Sequence, residues 1–274
     1  MNIFVTYGDS NFKESIKRIK RQAQKSGLFD KIIIYKPSDL PSFIKASPLM
    51  AYRRGGGYWV WKPYIIYHTL SKCNNGDVVF YADSGCTINI KSEEWNLFAN
   101  YLKSYNAIFF QYRKDYNYPG WDKVCVIPEN NSSKIIHWMK PNCVSYFNDY
   151  LQDEGYQVFD KIWGGFIIIK KTIPVISVLE NWYRITLFKP ELIMDPWGKE
   201  LNHLPKTFNQ HRHDQAILTP LIYHYKKRDK ILVLPETSES SKDSAAVIAS
   251  RYRVGKMPLR HYVKYKIYSY LHKK

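Results

Sequence analysis

The sequence predicts an α/β fold with a mostly parallel central sheet and helices on both faces. Short apolar runs with many β-branched and aromatic residues alternate along the chain with longer helix-like segments. Such alternation is typical of a parallel sheet covered by helices. The chain has 274 residues, of which 45% are hydrophobic, so it can bury a large core. We expect one large domain over residues 1–235 and an extension over residues 236–274.

Six apolar runs are predicted to be strands, because each is too short for a helix and contains β-branched or aromatic residues. Six longer segments are predicted to be helices. Pro63 suits the first turn of the second helix, and Ser92 is placed to cap the third. The predicted strands are Ile3–Thr6, Lys31–Tyr35, Val78–Ala82, Ala107–Gln111, Gly165–Ile169 and Ile231–Leu234, and the predicted helices are Asn11–Ser26, Pro63–Lys72, Ser92–Ser104, Asn142–Gln152, Thr172–Leu187 and His213–Lys226.

Two long segments, Arg113–Ser133 and Pro190–Gln210, contain proline and glycine breakers and are predicted to be loops. Long loops in a compact domain are often functional, so we interpret these two as walls of an acceptor-binding site. A third loop, Glu236–Asp243, is polar and serine-rich, and we expect it to be mobile.

The chain is strongly basic, with 41 Lys and Arg against 24 Asp and Glu and a formal net charge of +17. This balance favours anionic partners such as nucleotide phosphates, nucleic acid or an acidic membrane surface, but it does not choose among them. The four cysteines show neither a CxxC pair nor zinc-finger spacing. We therefore expect reduced, cytosolic thiols and neither a structural zinc site nor a disulfide framework.

The two ends of the chain bear on its location. The N-terminus enters a strand pattern directly, without the features of a signal peptide, and no apolar run is long enough to span a bilayer. Residues 255–274 combine six Lys or Arg with many tyrosine and aliphatic side chains. This segment is predicted to be a basic amphipathic helix that either lies on an anionic membrane or packs on the domain.

Asp83 is the first candidate for chemistry. It follows the buried run Val78–Ala82, and ligands of α/β proteins bind where strands end at their carboxyl edge. A carboxylate there can meet a ribose hydroxyl or a metal-bound phosphate, although a lone Asp at this place is also a common turn or capping residue. Ser84 and Gly85 follow it and allow a ligand to approach the backbone.

A glycine run, Gly55–Gly57, precedes the aromatic segment Tyr58–Pro63. It matches neither a Walker loop nor GxGxxG, so both nucleotide-binding motifs are excluded. The tryptophans and tyrosine offer rings for stacking on a base or sugar, and Lys62, with Arg53 and Arg54 just before the run, offers charge for phosphate. The alternative is a helix entry with the tryptophans in the core.

Two further segments carry polar groups beside probable helix or strand starts. His211–Gln215 opens a predicted helix, where His213 could bind a metal or diphosphate and Asp214 could cap the helix or act on substrate. Trp163, Gly164 and Gly165 come directly before a predicted strand and could border an acceptor sugar or form a bulge.

The order of these motifs resembles a family of bacterial GT-A-fold glycosyltransferases that build capsular polysaccharide and lipopolysaccharide O-antigen chains. The resemblance rests on the segments Phe4–Gly8, Gly57–Pro63, Tyr81–Cys86 and His211–Gln215, and it covers residues 1–235. It implies a GT-A-like (Rossmann-like) fold, a nucleotide-sugar donor such as a UDP-sugar, a glycan or lipid-linked acceptor, and a cytoplasmic location on the inner face of the bacterial membrane.

The resemblance also implies a metal-binding Asp-x-Asp motif. Asp83 matches its first Asp, but Gly85 stands where the second should be, which puts dependence on Mn²⁺ or Mg²⁺ in doubt. Asp83 and His213 are the candidate metal ligands; Asp83 and Asp214 are the candidate catalytic residues, with Asp160 and Asp195 as alternatives to Asp214. The candidate donor-binding residues are Thr6, Tyr7, Arg53, Arg54, Tyr58, Trp59, Lys62, Asp83, Ser84, Gly85 and His213, and the candidate acceptor-binding residues are Trp163, Gly164 and Gly165.

The leading hypothesis is therefore a peripheral glycosyltransferase of cell-surface polysaccharide synthesis. A nucleic-acid-binding protein is the alternative from another class, based on the net charge of +17 and the many tyrosines and tryptophans. Against it, the basic residues are scattered and no nucleic-acid-binding motif is present, so we expect no nucleic-acid partner. A glycan-binding module without activity is a third hypothesis, based only on Gly85.

Overall fold

A computed structural model describes residues 1–118, 121 and 132–251. Within these residues, strands and helices alternate along the chain as the sequence predicts. The strands are β1 (Asn2–Tyr7), β2 (Lys31–Tyr35), β3 (Val78–Ala82), β4 (Thr87–Ile88), β5 (Ala107–Gln111), β6 (Ile162–Lys170), β7 (Ile231–Pro235) and β8 (Val247–Ile248). The helices are α1 (Lys13–Ser26), α2 (Ser42–Lys45), α3 (Gly55–Tyr58), α4 (Trp61–Ser71), α5 (Glu94–Ser104), α6 (Pro141–Leu151), α7 (Ile173–Phe188), α8 (Pro190–Ile193) and α9 (His213–Tyr225).

The central sheet has six strands in the order β2-β1-β3-β6-β5-β7. β1 is parallel to β2 and β3, and β5 is parallel to β7, whereas β6 is antiparallel to both of its neighbours, β3 and β5. The predicted α/β fold with a mostly parallel sheet is thus confirmed. Because β6 runs in the opposite direction, its first residues lie beside the carboxyl end of β3.

Helices cover both faces of the sheet. On one face, α4 packs on β3, α9 packs on β6, and α7 lies between α4 and α9. On the other face, α5 places Trp95 against Phe80 of β3 and Phe166 of β6, with ring centroids 6.3 and 6.0 Å apart. Successive strand residues point to opposite faces, so Phe80 faces α5 while Tyr81 faces α4. The first turns of α4 and α9 therefore meet the sheet near the carboxyl end of β3.

The structure differs from the prediction in β6 and in the segment after β7. β6 begins at Ile162, so Trp163, Gly164 and Gly165 lie inside the strand and not before it. Beyond β7, the loop expected to be mobile is packed: Glu236 is buried and accepts a hydrogen bond from Tyr118. A further strand, β8, pairs with β4, so residues 236–251 pack on the main domain.

The glycine run forms a left-handed turn that positions the aromatic segment. Gly55, Gly56, Gly57, Tyr58 and Trp59 all have positive φ, between 51° and 95°. Gly57 also has no room for a side chain, because a Cβ there would lie 2.6 Å from Met50 Sδ. Positive φ is costly for residues other than glycine, which explains three consecutive glycines at this point.

Candidate functional site

Asp83 lies directly after β3, at the carboxyl edge of the sheet. Its backbone N–H donates to the carbonyl of Gly165 at 2.9 Å, which joins it to the antiparallel strand β6. The Tyr81 hydroxyl donates to Asp83 Oδ1 at 2.5 Å, and the Asp83 side chain remains 39% exposed. The carboxylate is thus fixed from the protein side and open to solvent on the other.

Lys62, in the first turn of α4, lies beneath this carboxylate with its side chain only 2% exposed. Its ammonium group is 3.3 Å from Asp83 Oδ1, 3.0 Å from Asp214 Oδ2 and 3.1 Å from the carbonyl oxygen of Gly164. An ammonium group has three N–H donors, and three acceptors surround it. Burial acts to lower the pKa of Lys62, but Asp214 and Asp83 outweigh burial and raise it. Lys62 is therefore charged and fully engaged within the protein.

Asp214 completes this group, which we call the Lys62 cluster: Lys62, Asp83, Gly164 and Asp214. Asp214 follows the first residue of α9, and its side chain is 5% exposed. Burial raises the pKa of its carboxyl group, although Lys62 acts in the opposite direction. The backbone carbonyl of Asp214 accepts a hydrogen bond from Trp182 of α7 at 3.2 Å, so the helix layer fixes this end of the cluster.

The glycines of β6 serve the cluster through their backbone. Gly164 O accepts from Lys62 and Gly165 O accepts from Asp83, while a Cβ on Gly164 would lie 3.2 Å from Asp214 Oδ2. The register between β5 and β6 is shifted at this point, as in a bulge. Trp163 is buried and its ring lies over Gly165. The structure thus gives these residues a supporting position, and their contact with an acceptor stays a prediction.

A second group, the Asp195 cluster, consists of Arg54, Tyr58, Asp195 and His213. Asp195 Oδ2 accepts from Arg54 at 3.1 Å and from the Tyr58 hydroxyl at 3.0 Å. His213 Nε2 lies 3.7 Å from Asp195 Oδ1, and its Nδ1 lies 2.8 Å from the carbonyl oxygen of Ile193. This cluster joins the left-handed turn to the first residue of α9.

Aromatic rings hold His213 in the Asp195 cluster. The ring of Trp59 is stacked on it at a centroid distance of 5.4 Å, and that of Tyr58 lies at 5.0 Å. Burial lowers the pKa of His213 from 6.5 to about 4, with Arg54 also lowering it and Ile193 O and Asp195 opposing. His213 is therefore neutral at pH 7.

Because this pKa is depressed in the folded state, His213 favours folding above pH 6.5, and that contribution is lost as the pH falls towards 4. We expect the lost contribution to reach about 3 kcal/mol, since one pKa unit corresponds to about 1.4 kcal/mol. Urea unfolding of the wild type and of His213→Asn at pH 7 and pH 4.5 measures it. Asn tolerates the φ of +47° at this position. Equal losses of stability in the two proteins on acidification would contradict this expectation.

The other predicted donor-binding residues have different degrees of access. Thr6 is buried at the end of β1, and Tyr7 stacks on Trp61 with centroids 3.8 Å apart. Arg53 is exposed on the turn before α3, and Ser84 is buried. The Gly85 carbonyl accepts from Arg18 at 3.3 Å. None of these residues is part of the two clusters, although Thr6, Ser84 and Gly85 lie at the same edge of the sheet.

The alternative carboxylates differ in position. Asp160 is buried before β6, where it accepts from Ser133 at 2.5 Å and lies 3.7 Å from Lys114. Asp195, at 33% exposure, belongs to its own cluster and is more accessible than Asp214.

Sequence reasoning missed two residues of the site. Tyr81 lies two positions before Asp83, so the alternation of a strand places both side chains on one face. Arg212 lies inside the segment His211–Gln215, where its acidic and imidazole neighbours offer the more recognisable chemistry. Its guanidinium lies 4.7 Å from the ring of Trp138.

A divalent cation held jointly by Asp83 and His213 does not fit this arrangement. Asp83 Oδ1 already accepts from Tyr81 and lies 3.3 Å from the Lys62 ammonium, which would repel a second cation. His213 Nδ1 is engaged by the carbonyl oxygen of Ile193, and Asp195 Oδ1 lies 3.7 Å from its Nε2. In the part of the chain that the structure describes, no three His, Cys, Asp or Glu side chains form a group that could hold a metal.

Solved structures resemble this fold. A glycosyltransferase involved in glycosylation of the major capsid of PBCV-1 matches with a TM-score of 0.50 and 8% identity, over 97% of this chain and 98% of that one. The galactosyltransferase LgtC, in complex with donor and acceptor sugar analogues, matches with a TM-score of 0.37 and 12% identity, over 85% of this chain and 73% of that one. Core-mannan synthase A from Aspergillus fumigatus, in its Mn/GDP form, matches with a TM-score of 0.40 and 10% identity, over 85% of this chain and 72% of that one.

No protein-family model matches the sequence, and no curated protein matches it. The structural likeness to the capsid glycosyltransferase, at 8% identity, therefore concerns the fold, which is of the GT-A type. Within the described residues, no helix is long and apolar enough to cross a bilayer. The predicted C-terminal amphipathic helix, residues 256–274, lies outside the described residues.

Proposed function

We propose that this chain is a glycosyltransferase that moves a sugar from a nucleotide-sugar donor, a UDP-sugar, to a glycan or lipid-linked acceptor. The observation that carries the proposal is the Lys62 cluster. Three sequence motifs that lie far apart in the chain, around Lys62, Asp83 and Asp214, meet within 3.3 Å of one ammonium group. They do so at the carboxyl edge of the sheet, where α/β folds bind ligands.

In this proposal Asp83 contacts the donor. Its side chain is 39% exposed, and Oδ1 is occupied by Tyr81 and Lys62, so Oδ2 can accept a hydrogen bond from a ribose or sugar hydroxyl. Asp214 is a positioning residue, because its carboxylate is buried against Lys62 and acts through it. The rigid support keeps the donor in one orientation, which lowers the entropic cost of reaching the transition state.

The reaction breaks the bond between the anomeric carbon and the diphosphate oxygen, and the electron pair leaves with the nucleoside diphosphate. The acceptor hydroxyl oxygen bonds to the anomeric carbon and its proton is released. In this proposal the donor lies along the edge formed by β1, β3 and the start of β6. The long segment that leads from α8 to α9 carries Asp195 and lies beside this edge through the Asp195 cluster.

The proposal is tested by incubating the purified protein with UDP-, GDP-, CDP- and dTDP-sugars and measuring release of the nucleoside diphosphate. Water can replace the natural acceptor at a slow rate, so the acceptor need not be known. We expect release from one nucleotide class above the rate of a heat-denatured control. Release from none of them, in the presence of a correctly folded protein, would count against a transferase.

We further propose that the protein works in cell-surface polysaccharide assembly on the inner face of the bacterial membrane. The order of the four motifs, which resembles the capsular and O-antigen transferases, supports this role, and the basic composition of residues 255–274 supports the location.

The location is tested by sedimentation with vesicles. A chain that ends at residue 255 lacks six Lys or Arg and is expected to bind vesicles containing 30% anionic lipid at least tenfold more weakly than the full chain, because each basic residue near an anionic surface contributes about 1 kcal/mol. Neutral vesicles serve as the control. Equal binding of the two chains to anionic vesicles would remove the role of this segment.

A further inference from the structure

Arg212 is the one residue of the segment His211–Gln215 whose charge the proposed reaction does not yet use. Its guanidinium lies 4.7 Å from the ring of Trp138, and its Nε is buried. Among the residues that the structure describes, no hydrogen-bond acceptor reaches Nε and no carboxylate forms an ion pair with the group. A guanidinium has five N–H donors, and in Arg212 the Nε–H is open to a ligand.

Two other arginines, Arg54 and Arg251, add positive potential at Arg212. Burial lowers the pKa of its guanidinium; Tyr112 and Glu239 act to raise it, and Arg251 and Arg54 lower it further. Each of these two flanking arginines has a carboxylate partner: Arg54 is 3.1 Å from Asp195 and Arg251 is 2.7 Å from Glu239. Among the described residues, Arg212 has no such carboxylate partner.

The neighbours of Arg212 in sequence show the same feature. Within the described residues, His213 Nε2 and Gln215 Oε1 are also buried without a hydrogen-bond partner. These groups sit on the first turn of α9, a helix of 13 residues whose N-terminal backbone adds positive potential. Buried polar atoms without partners are costly, and several together at a helix start mark a place where a ligand completes the hydrogen bonding.

Extra positive charge placed around an unpaired guanidinium destabilises the free protein. Three facts therefore point to an anionic ligand: the unpaired donors, the flanking arginines and the helix N-terminus. Arg251, which acts on Arg212, has its Cα 3.7 Å from where a Cβ on Gly85 would lie, so this positive group belongs to the edge of the sheet that carries Asp83. Guanidinium groups bind phosphate through paired, charge-assisted hydrogen bonds.

We propose that Arg212, flanked by Arg54 and Arg251, binds the diphosphate group of the donor directly, and that no divalent metal is needed for this binding. The proposal rests on the proposed glycosyltransferase function. It adds to it the side chain that binds the negative charge of the leaving diphosphate. It accounts for Gly85 in place of a second carboxylate, because positive side chains then do what a metal and an Asp-x-Asp motif would do together. Positive charge at this place also stabilises the departing diphosphate.

The experiment is calorimetric titration of the full chain with UDP and with uridine, in EDTA and in Mn²⁺. The variants are Arg212→Met, which keeps length and removes charge, and Arg212→Lys, which keeps charge without the paired donors. Arg184→Met is the matched control, because Arg184 is 62% exposed on α7 and already pairs with Glu180 at 3.4 Å. Thermal unfolding of each variant, without ligand, shows whether it is folded.

We expect UDP to bind the wild type and Arg184→Met in EDTA as well as in Mn²⁺. Arg212→Met should bind UDP about ten- to a hundredfold more weakly, since hydrogen bonds to a charged group are among the strongest in proteins. Arg212→Lys should fall between, and uridine, without phosphates, should bind all four proteins equally. The thermal midpoint of Arg212→Met should be equal to or above that of the wild type, because an unpaired buried charge is removed.

Two results would overturn the inference and leave the transferase proposal standing: UDP binding that is lost in EDTA, or unchanged UDP binding by a folded Arg212→Met. A lower thermal midpoint for Arg212→Met without a change in UDP affinity would assign Arg212 a structural role. If UDP binds in neither condition, GDP, CDP and dTDP are titrated in the same way, and failure of all four to bind removes the transferase proposal together with the inference.

Discussion

Replacing Asp83 by Ala is expected to lower the rate of sugar transfer, or of donor hydrolysis, by about 100- to 1,000-fold while the domain stays folded. The loss follows from the removal of an electrostatic and hydrogen-bonding contact to the donor, for which factors of this size are usual. The fold survives because Asp83 is 39% exposed, and Lys62 keeps its ion pair with Asp214 at 3.0 Å. Steady-state rates and thermal midpoints measure the two effects separately.

The matched control for Asp83→Ala is Asp149→Ala, because Asp149 is exposed on α6 and belongs to neither cluster. It should leave both rate and stability unchanged. Full activity of Asp83→Ala would remove Asp83 from the site. A large fall in its thermal midpoint would instead show that Asp83 is needed for the fold, and Asp83→Asn would then be compared, since it keeps the shape of the side chain.

Lys62→Met is expected to show a large loss of stability, about 3–5 kcal/mol, as well as loss of activity. Removing one partner of a buried ion pair leaves the other charge uncompensated, and costs of this size are typical. In this variant the carboxylate of Asp214, whose side chain is 5% exposed, loses its ion-pair partner. Met has nearly the length of Lys, so packing is preserved and the measured change reports on charge. Urea unfolding at pH 7 measures it.

The double variant Lys62→Met with Asp214→Asn tests the cause of that loss. Because the second substitution removes the uncompensated carboxylate, we expect it to restore at least half of the free energy of unfolding lost in Lys62→Met. Activity should stay low, since Asp83 is no longer fixed. Additive losses in the double variant would contradict the ion-pair account, because residues that interact give non-additive changes.

Much of the fold follows from local sequence patterns. The runs Lys31–Tyr35, Val78–Ala82 and Ala107–Gln111 form strands with the predicted bounds, because short β-branched and aromatic runs seldom form anything else in a chain of this type. The antiparallel direction of β6 could not be predicted in this way. A strand's direction depends on the connections before and after it, and here these include long segments without a periodic pattern.

The site was predictable as a set of motifs but not as a geometry. The sequence placed Asp83 at a strand end, and the structure agrees; it also singled out the segments of Lys62 and Asp214, which the structure brings together. The role of Lys62 in pairing with two carboxylates could not be predicted from the sequence. In the sequence, a lysine beside arginines and tryptophans resembles a phosphate ligand. Its burial and its three acceptors, which only the structure shows, mean that its ammonium group is paired within the protein.

The glycines of β6 show the same limit. Gly164 and Gly165 were interpreted as exposed backbone near an acceptor, or as a bulge. The structure shows a register shift there, and their carbonyls hold Lys62 and Asp83. A glycine's function through its carbonyl leaves no trace in composition or periodicity, because every residue has the same carbonyl.

The most direct test of the central claim, that the edge around Asp83 is a nucleotide-sugar site, is the thermal midpoint of the full chain with UDP, GDP, CDP and dTDP in EDTA. A ligand at 100 times its dissociation constant adds about 2.7 kcal/mol to the stability of the folded state. The account predicts that one nucleotide raises the midpoint of the wild type and of Asp149→Ala, and that Arg212→Met loses most of this rise. No rise with any of the four nucleotides, with or without Mn²⁺, would contradict it.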